Sequence, residues 1–186
     1  NVSLFDAMQG TIHGVDEHQV ERFLCSQTVM MALEGIPAFY IHSLLATPNY
    51  EEGVAETGHN RSINRSKLEY ATIHAELAED TNRRRVFREL VRRLRIRRRQ
   101  EAFHPNATQF TLQLDPAFFA FWRQSTNRQQ SIFAIHNLTR EPAELRLADL
   151  NLISLNDWQD LISGEHYEDL GATLTLAPYQ CLWITN

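Results

Sequence analysis

The stretch from Gly35 to Arg65, GIPAFYIHSLLATPNYEEGVAETGHNRSINR, decides how the rest of the chain is read. Gly35 and Pro37 end any helix that precedes them. Ala38-Phe39-Tyr40-Ile41 is then an apolar run without polar alternation, the pattern of a strand covered on both faces, as in a parallel sheet. A strand of that kind at 38–42 needs parallel neighbours and covering helices. The chain offers no second convincing parallel strand. The expectation is therefore that its neighbours lie on the N-terminal side, in a barrel of roughly 250 residues. A long polar loop follows, with His42, His59, Asn60, Arg61, Asn64 and Arg65. Loops after the strands build the active sites of parallel barrels. The loop is thus the candidate site on physical grounds.

On the N-terminal side, residues 3–9 read as a short helical turn, with Leu4, Phe5 and Met8 on one side. Asp16 is a good N-cap, and Gln19 completes a capping-box pattern. The spacing predicts a helix over 17–34 that buries Val20, Phe23, Leu24 and Met31. On the C-terminal side, the loop from Leu44 to Lys67 is too long for a simple connection, so a functional or disordered segment is expected. Residues 68–79 read as helical. Ten arginines then fall within 83–99, threaded by an apolar stripe of Val86, Phe87, Leu90, Val91 and Leu94. That spacing predicts an amphipathic helix from about Asn82 to Gln100. Clustered guanidinium groups can neutralise phosphates. The net charge of −5 and the lack of a binding motif favour a surface helix with its stems over the core, and no nucleic-acid partner.

Pro105 closes that region, since proline excludes helix from the residue before it. From Thr108 the pattern changes to period two. Strands are expected at 108–114, 117–123, 131–138, 143–147, 174–176 and 181–184. Asp157-Trp158 and Leu161–Gly164 read as a less regular stretch with one turn and a short strand. Short strands separated by turns point to an antiparallel sandwich. Charge shifts at the same place: residues 1–100 hold 14 basic and 13 acidic side chains, and residues 101–186 hold 4 and 10. The fold class is therefore α/β plus all-β, with domains at 1–103 and 104–186.

Composition sets further limits. Hydrophobic residues make up 43% of the chain, ordinary for a globular protein. No apolar run reaches the length of a membrane helix, so no membrane partner is expected. Cys25 and Cys181 do not make a disulfide framework, which suits a reduced, cytoplasmic setting. His13 and His18, five apart, do not have metal-ligand spacing, and no Cys or His pair completes a tetrahedral set. Neither a nucleophile elbow nor a glycine-rich phosphate loop occurs. No metal or cofactor is expected.

GIPAFYIHSLLATPN followed by TGHNRSINR resembles the sucrose phosphorylase group of the alpha-amylase superfamily, which includes glucosylglycerate phosphorylases. RIRRRQEAFHP, HNLT, DLISG and LAPYQ extend the likeness over nearly all of the chain. The resemblance implies the C-terminal part of such an enzyme. Residues 1–103 would be the end of a (β/α)8 barrel, including its eighth strand, and 104–186 a terminal antiparallel β domain. It also implies a retaining mechanism. A carboxylate attacks the anomeric carbon, an acid protonates the leaving oxygen, and phosphate then accepts the glucosyl group. Those carboxylates, and a third that stabilises the transition state, are implied to precede Asn1. Asp6, Asp16 and Glu21 lie in the wrong context to replace them, so this piece alone is expected to be inactive.

Arg61 is the first candidate for substrate contact. Guanidinium is planar, permanently charged and matched to phosphate oxygens, and the resemblance puts an acceptor-side arginine at this position. Sucrose phosphorylases carry an acid where Ser62 stands, so the loop looks closer to the glucosylglycerate branch. A surface ion pair with Glu52 or Glu56 is the plainer role for Arg61. Asn60 and His59 flank it as possible acceptor contacts. Asn64 and Arg65 read as loop anchors, and His42 as a packed histidine bonded to backbone. The implied partners are a small sugar and phosphate, with a homo-oligomer left open. The rival readings are a hydrolase or transglycosylase of the same superfamily and a non-catalytic sugar-binding sandwich. In the latter, Trp122, Trp158 and Trp183 would stack on sugar rings, although their strand positions suggest core.

Overall fold

The computed structural model describes residues 1–150, 158–169 and 171–186. The chain divides into two compact units, Asn1–Leu24 with Ala38–Arg92, and Cys25–Pro37 with Arg93–Asn186.

The first unit opens with helix α1 (Leu4–Ala7) and the strands β1 (Gly10–Thr11) and β2 (Gly14–Val15), which pair antiparallel. Helix α2 (Gln19–Ala32) begins here. Phe5 packs edge-on against Phe23 at 5.3 Å between ring centroids, and Val20, Phe23 and Leu24 are buried as expected. Asp16 does not cap α2. Its carboxylate accepts from the Arg22 guanidinium and from the His18 amide. The charged donor outcompetes the weaker cap. Gln19 reaches the Phe5 carbonyl at 3.1 Å instead of closing a capping box.

Ala38–Tyr40 is not a strand. Gly35–Tyr40 lies outside helix and sheet, and helix α3 (Ile41–Leu44) follows at once. An apolar ribbon needs hydrogen-bonded neighbours on both edges, and no strand among the described residues pairs with it. Ile36, Tyr40 and Ile41 are accordingly exposed. The long loop is not structureless either. It holds helix α4 (Glu51–Thr57) and a 3-10 turn at Asn60–Asn64, and helix α5 (Tyr70–Ala78) comes next.

Helix α6 (Asn82–Arg97) is the arginine helix. Val86 and Leu90 are fully buried. Its arginines act largely as cross-links. In the first unit, Arg83 pairs with Glu76 at 2.6 Å, Arg85 with Glu21, and Arg92 with Glu89. In the second, Arg93 bonds to Thr28, and Arg97 donates to the carbonyls of Met31 and Gly35.

The second unit is built on antiparallel sheets. Strands β3 (Thr108–Thr111), β4 (Phe118–Gln124), β5 (Ser131–Asn137), β6 (Ala143–Arg146), β7 (Trp158–Asp160), β8 (His166–Tyr167), β9 (Thr173–Leu176) and β10 (Cys181–Thr185) form two sheets. One has the order β3-β4-β5-β10-β7-β8, and the other is the β6–β9 pair. Phe133, Ile135, Leu182, Ile184 and Trp158 from the large sheet pack with Leu145 and Leu176 of the small one. The opposite face of the large sheet is covered as well, where Trp183 meets Phe103 at 4.8 Å. That is why β5 reads Ile132-Phe133-Ala134-Ile135, apolar without a break, where period two was expected. The expected short strand near Trp158 is β7, while Asp157 lies outside the described residues.

The motifs of the terminal unit do structural work. The Asn137 amide donates to the carbonyls of Glu141 and Ala177, and its oxygen accepts from Thr139, so HNLT and LAPYQ meet. The fully buried Asp160 accepts from the amides of Trp183, Ile162 and Ser163, which explains DLISG.

Candidate functional site

The site loop is a folded, pinned segment. Helix α4 stops at Gly58, whose φ of 68° is left-handed and suits a residue without Cβ. The Thr57 hydroxyl donates to the Gly53 carbonyl at 2.6 Å. Its single proton is then used, so the 2.8 Å contact with Ser62 must be donated by Ser62. Ile63 is buried, and its carbonyl accepts from the Tyr50 amide at 2.7 Å. The Tyr40 hydroxyl donates to the Asn64 carbonyl at 3.0 Å. Ser62, Ile63 and Asn64 therefore fasten the turn.

His59, Asn60 and Arg61 are consecutive and exposed on this turn. Among the described residues, Arg61 forms no ion pair with Glu52 or Glu56. Its guanidinium is a cation on a rigid support, with its donors open to an anion. Arg65 is exposed too. The three acids considered from the sequence are all engaged: Asp6 accepts from the Asn49 amide at 2.7 Å, Asp16 holds Arg22, and Glu21 holds Arg85. Among the described residues no group of His, Cys, Asp or Glu could hold a metal ion. Among the described residues no helix is long and apolar enough to cross a membrane.

A cavity of this unit lies elsewhere. A cleft of about 230 Å³ is lined by Ser3, Tyr40, His42, Thr47 and Asn64, not by His59, Asn60 or Arg61. His42 is buried, yet among the described residues its imidazole lacks the backbone bond expected for it, and Nδ1 has no partner. Burial and the nearby Arg83 hold this imidazole below its ordinary pKa. The sequence placed His42 at the start of the candidate loop, where a barrel site would lie, and favoured a packed histidine bonded to backbone. In the second unit, Trp158 and Trp183 are core and Trp122 is half-buried and packed against it.

Comparison with known proteins defines the class first. Residues 100–183 match the family Maltogenic Amylase, C-terminal domain. An alpha-amylase from Anoxybacillus has the same fold, with a TM-score of 0.68 at 14% identity over 90% of this chain and 32% of that one. The particular relatives are glucosylglycerate phosphorylases. That of Spirochaeta thermophila is 33% identical over 90% of this chain and 30% of its own length. That of Escherichia coli is 30% identical over 99% of this chain and 31% of its own length. The chain is thus similar to glucosylglycerate phosphorylases over nearly all of its length, and residues 100–183 to the C-terminal domain of maltogenic amylases. It spans about 30% of the length of the relatives it matches.

Proposed function

We propose that the chain is the C-terminal portion of a retaining glucoside phosphorylase of the glucosylglycerate or sucrose type. The whole enzyme transfers a glucosyl group to phosphate. The observation that carries this reading is the homology to glucosylglycerate phosphorylases across nearly the whole chain. In this reading, residues 1–103 complete a (β/α)8 barrel and residues 104–186 form the terminal β domain. The catalytic carboxylates come from outside these residues, no cofactor takes part, and the enzyme works in the cytoplasm. Arg61 holds the phosphate that attacks the glucosyl-enzyme, and Asn60 and His59 contact the acceptor. The exposed guanidinium, on a turn pinned by Thr57, Tyr50 and Tyr40, supports that role.

The test is Arg61→Ala in the enzyme that carries this chain. Hydrogen bonds to a charged group contribute about 1.5–3 kcal/mol. The kcat/KM for phosphate should fall roughly tenfold to a hundredfold. Formation of the glucosyl-enzyme, read from the burst of released acceptor, should change less than about threefold. An unchanged dependence on phosphate would remove Arg61 from the site.

A further inference from the structure

Cys25 and Cys181 lie far apart in sequence, yet the second unit brings them together. Cys25 on α2 and Cys181 at the start of β10 pack with Tyr179 and Ile162 in one buried cluster. The Cys25 thiol donates to the Asn137 carbonyl at 3.8 Å, and the Cys181 thiol to the Tyr179 carbonyl at 3.7 Å. Asn137 ends β5, where its neighbour His136 is the register partner of Cys181. The two sulfurs are thus held at the same end of the β5–β10 pair, within hydrogen-bonding reach of each other. Both thiols are free, and the proposed glucosyl transfer uses neither. Arg93 and Thr28, bonded to each other, border the pair. Cys181 is 5% exposed and follows the exposed Gln180, so the pair lies just beneath the surface.

The pair is not symmetric. The hydrogen bond from Cys181, opposed by burial and helped by the Arg93 charge, holds the Cys25 thiol below its ordinary pKa. Burial, and then the bond to Cys25, pushes the Cys181 thiol up. A thiolate is the nucleophile in thiol oxidation, and these surroundings favour it at Cys25.

We propose that Cys25 and Cys181 form a reversible disulfide clasp when the protein meets hydrogen peroxide, with Cys25 as the attacking sulfur. The Cys25 thiolate attacks one peroxide oxygen and the O–O bond breaks. The departing hydroxide takes up the proton that Cys25 released and becomes water. Cys25 is then a sulfenic acid. The Cys181 sulfur attacks it, the S–S bond forms, and the sulfenic hydroxyl leaves with the Cys181 proton as a second water. In sum, two thiols lose two electrons and two protons, and one peroxide becomes two waters. The disulfide fastens α2 to β10 until a thiol reductant opens it. This inference is independent of the phosphorylase reading, and its test reads no turnover.

The enzyme that carries this chain is held folded with excess hydrogen peroxide, alkylated, digested with trypsin without reduction, and read by mass spectrometry. The peptides that contain Cys25 and Cys181 should appear joined, two hydrogens lighter than their sum, and dithiothreitol should separate them. That measurement needs no variant to fold. In Cys181→Ser, dimedone should trap a sulfenic acid at Cys25. In Cys25→Ser, Cys181 should stay a thiol roughly tenfold longer than Cys25 does in Cys181→Ser. Circular dichroism shows whether the variants are folded. The proposal is overturned if both peptides stay reduced while glutathione in the same solution is oxidised. It is equally overturned if the joined peptides appear only in urea, if either cysteine joins a different one, or if dimedone labels Cys181 and not Cys25.

Discussion

Replacing Arg123 with methionine is expected to destabilise the second unit by about 3 kcal/mol. Arg123 is 0% exposed and has no carboxylate partner among the described residues. Its guanidinium donates to the Ala32 carbonyl at 2.8 Å, the His104 carbonyl at 3.0 Å and the Ala107 carbonyl at 3.2 Å. Ala32 is the last residue of α2, where unpaired carbonyls carry partial negative charge. One side chain of β4 thereby ties together the end of a helix and the turn that leads into the sheet. Burial, with help from Arg97 and against Glu34, lowers the guanidinium pKa, though not enough to discharge an arginine at neutral pH. Methionine keeps much of the volume and relieves the cost of burying a charge. It leaves three carbonyls without their donor, each at about 1–3 kcal/mol, so the loss outweighs the relief. Arg123→Lys should recover only part of the stability, because an ammonium cannot span the same fork. Urea unfolding followed by tryptophan fluorescence measures both. A methionine variant within about 0.5 kcal/mol of the parent would show that the carbonyls find other partners.

The second large effect is an acid instability that originates at His136. This residue of β5 is 0% exposed. Its Nδ1 lies 2.8 Å from the Phe119 carbonyl, and its Nε2 has no partner among the described residues. A carbonyl can only accept, so Nδ1 carries the hydrogen and Nε2 the lone pair. Protonation would place a cation at Nε2 beside the Phe121 ring, at 5.6 Å between centroids, with no acceptor. Burial, and to a lesser degree Arg93, lower the pKa to about 4 against the pull of the Phe119 carbonyl. In the unfolded chain it returns to about 6.5. Between those values the unfolded state holds the extra proton, so stability falls as pH drops from about 6.5 to about 4. The whole loss is about 3 kcal/mol, and above the upper value His136 contributes no pH dependence. Urea unfolding at stepped pH should show a steeper decline for the parent than for His136→Gln across that window. Parallel curves would mean that the imidazole is hydrated or already charged in the folded state.

The terminal sheets were legible because their signals are local. Phe110, Leu112 and Leu114 alternate, and Asp115-Pro116 and Ser125–Arg128 mark turns, so β4 and β5 could be read within a residue, while β3 starts where expected and ends three residues early, at Thr111. Strand β8 is only two residues long, too short to show any period. The Ala38–Ile41 run was misread because an apolar stretch carries no register of its own. Whether it forms a strand depends on neighbours, and none among the described residues pairs with it. Asp16 was misread for a related reason. Its competitor Arg22 sits six residues along, beyond the reach of a capping pattern. At the candidate site, the loop and Arg61 were visible through the family motif. His42 was visible in the same loop, but its buried Nδ1 without a partner among the described residues becomes evident only in the structure.

The most direct measurement follows the products of the enzyme that carries this chain. It is supplied with glucosylglycerate and inorganic phosphate and watched by phosphorus NMR. The account predicts that glucose 1-phosphate accumulates in step with released glycerate, with little free glucose while phosphate is in excess. Free glucose formed at the same rate with and without phosphate would contradict it.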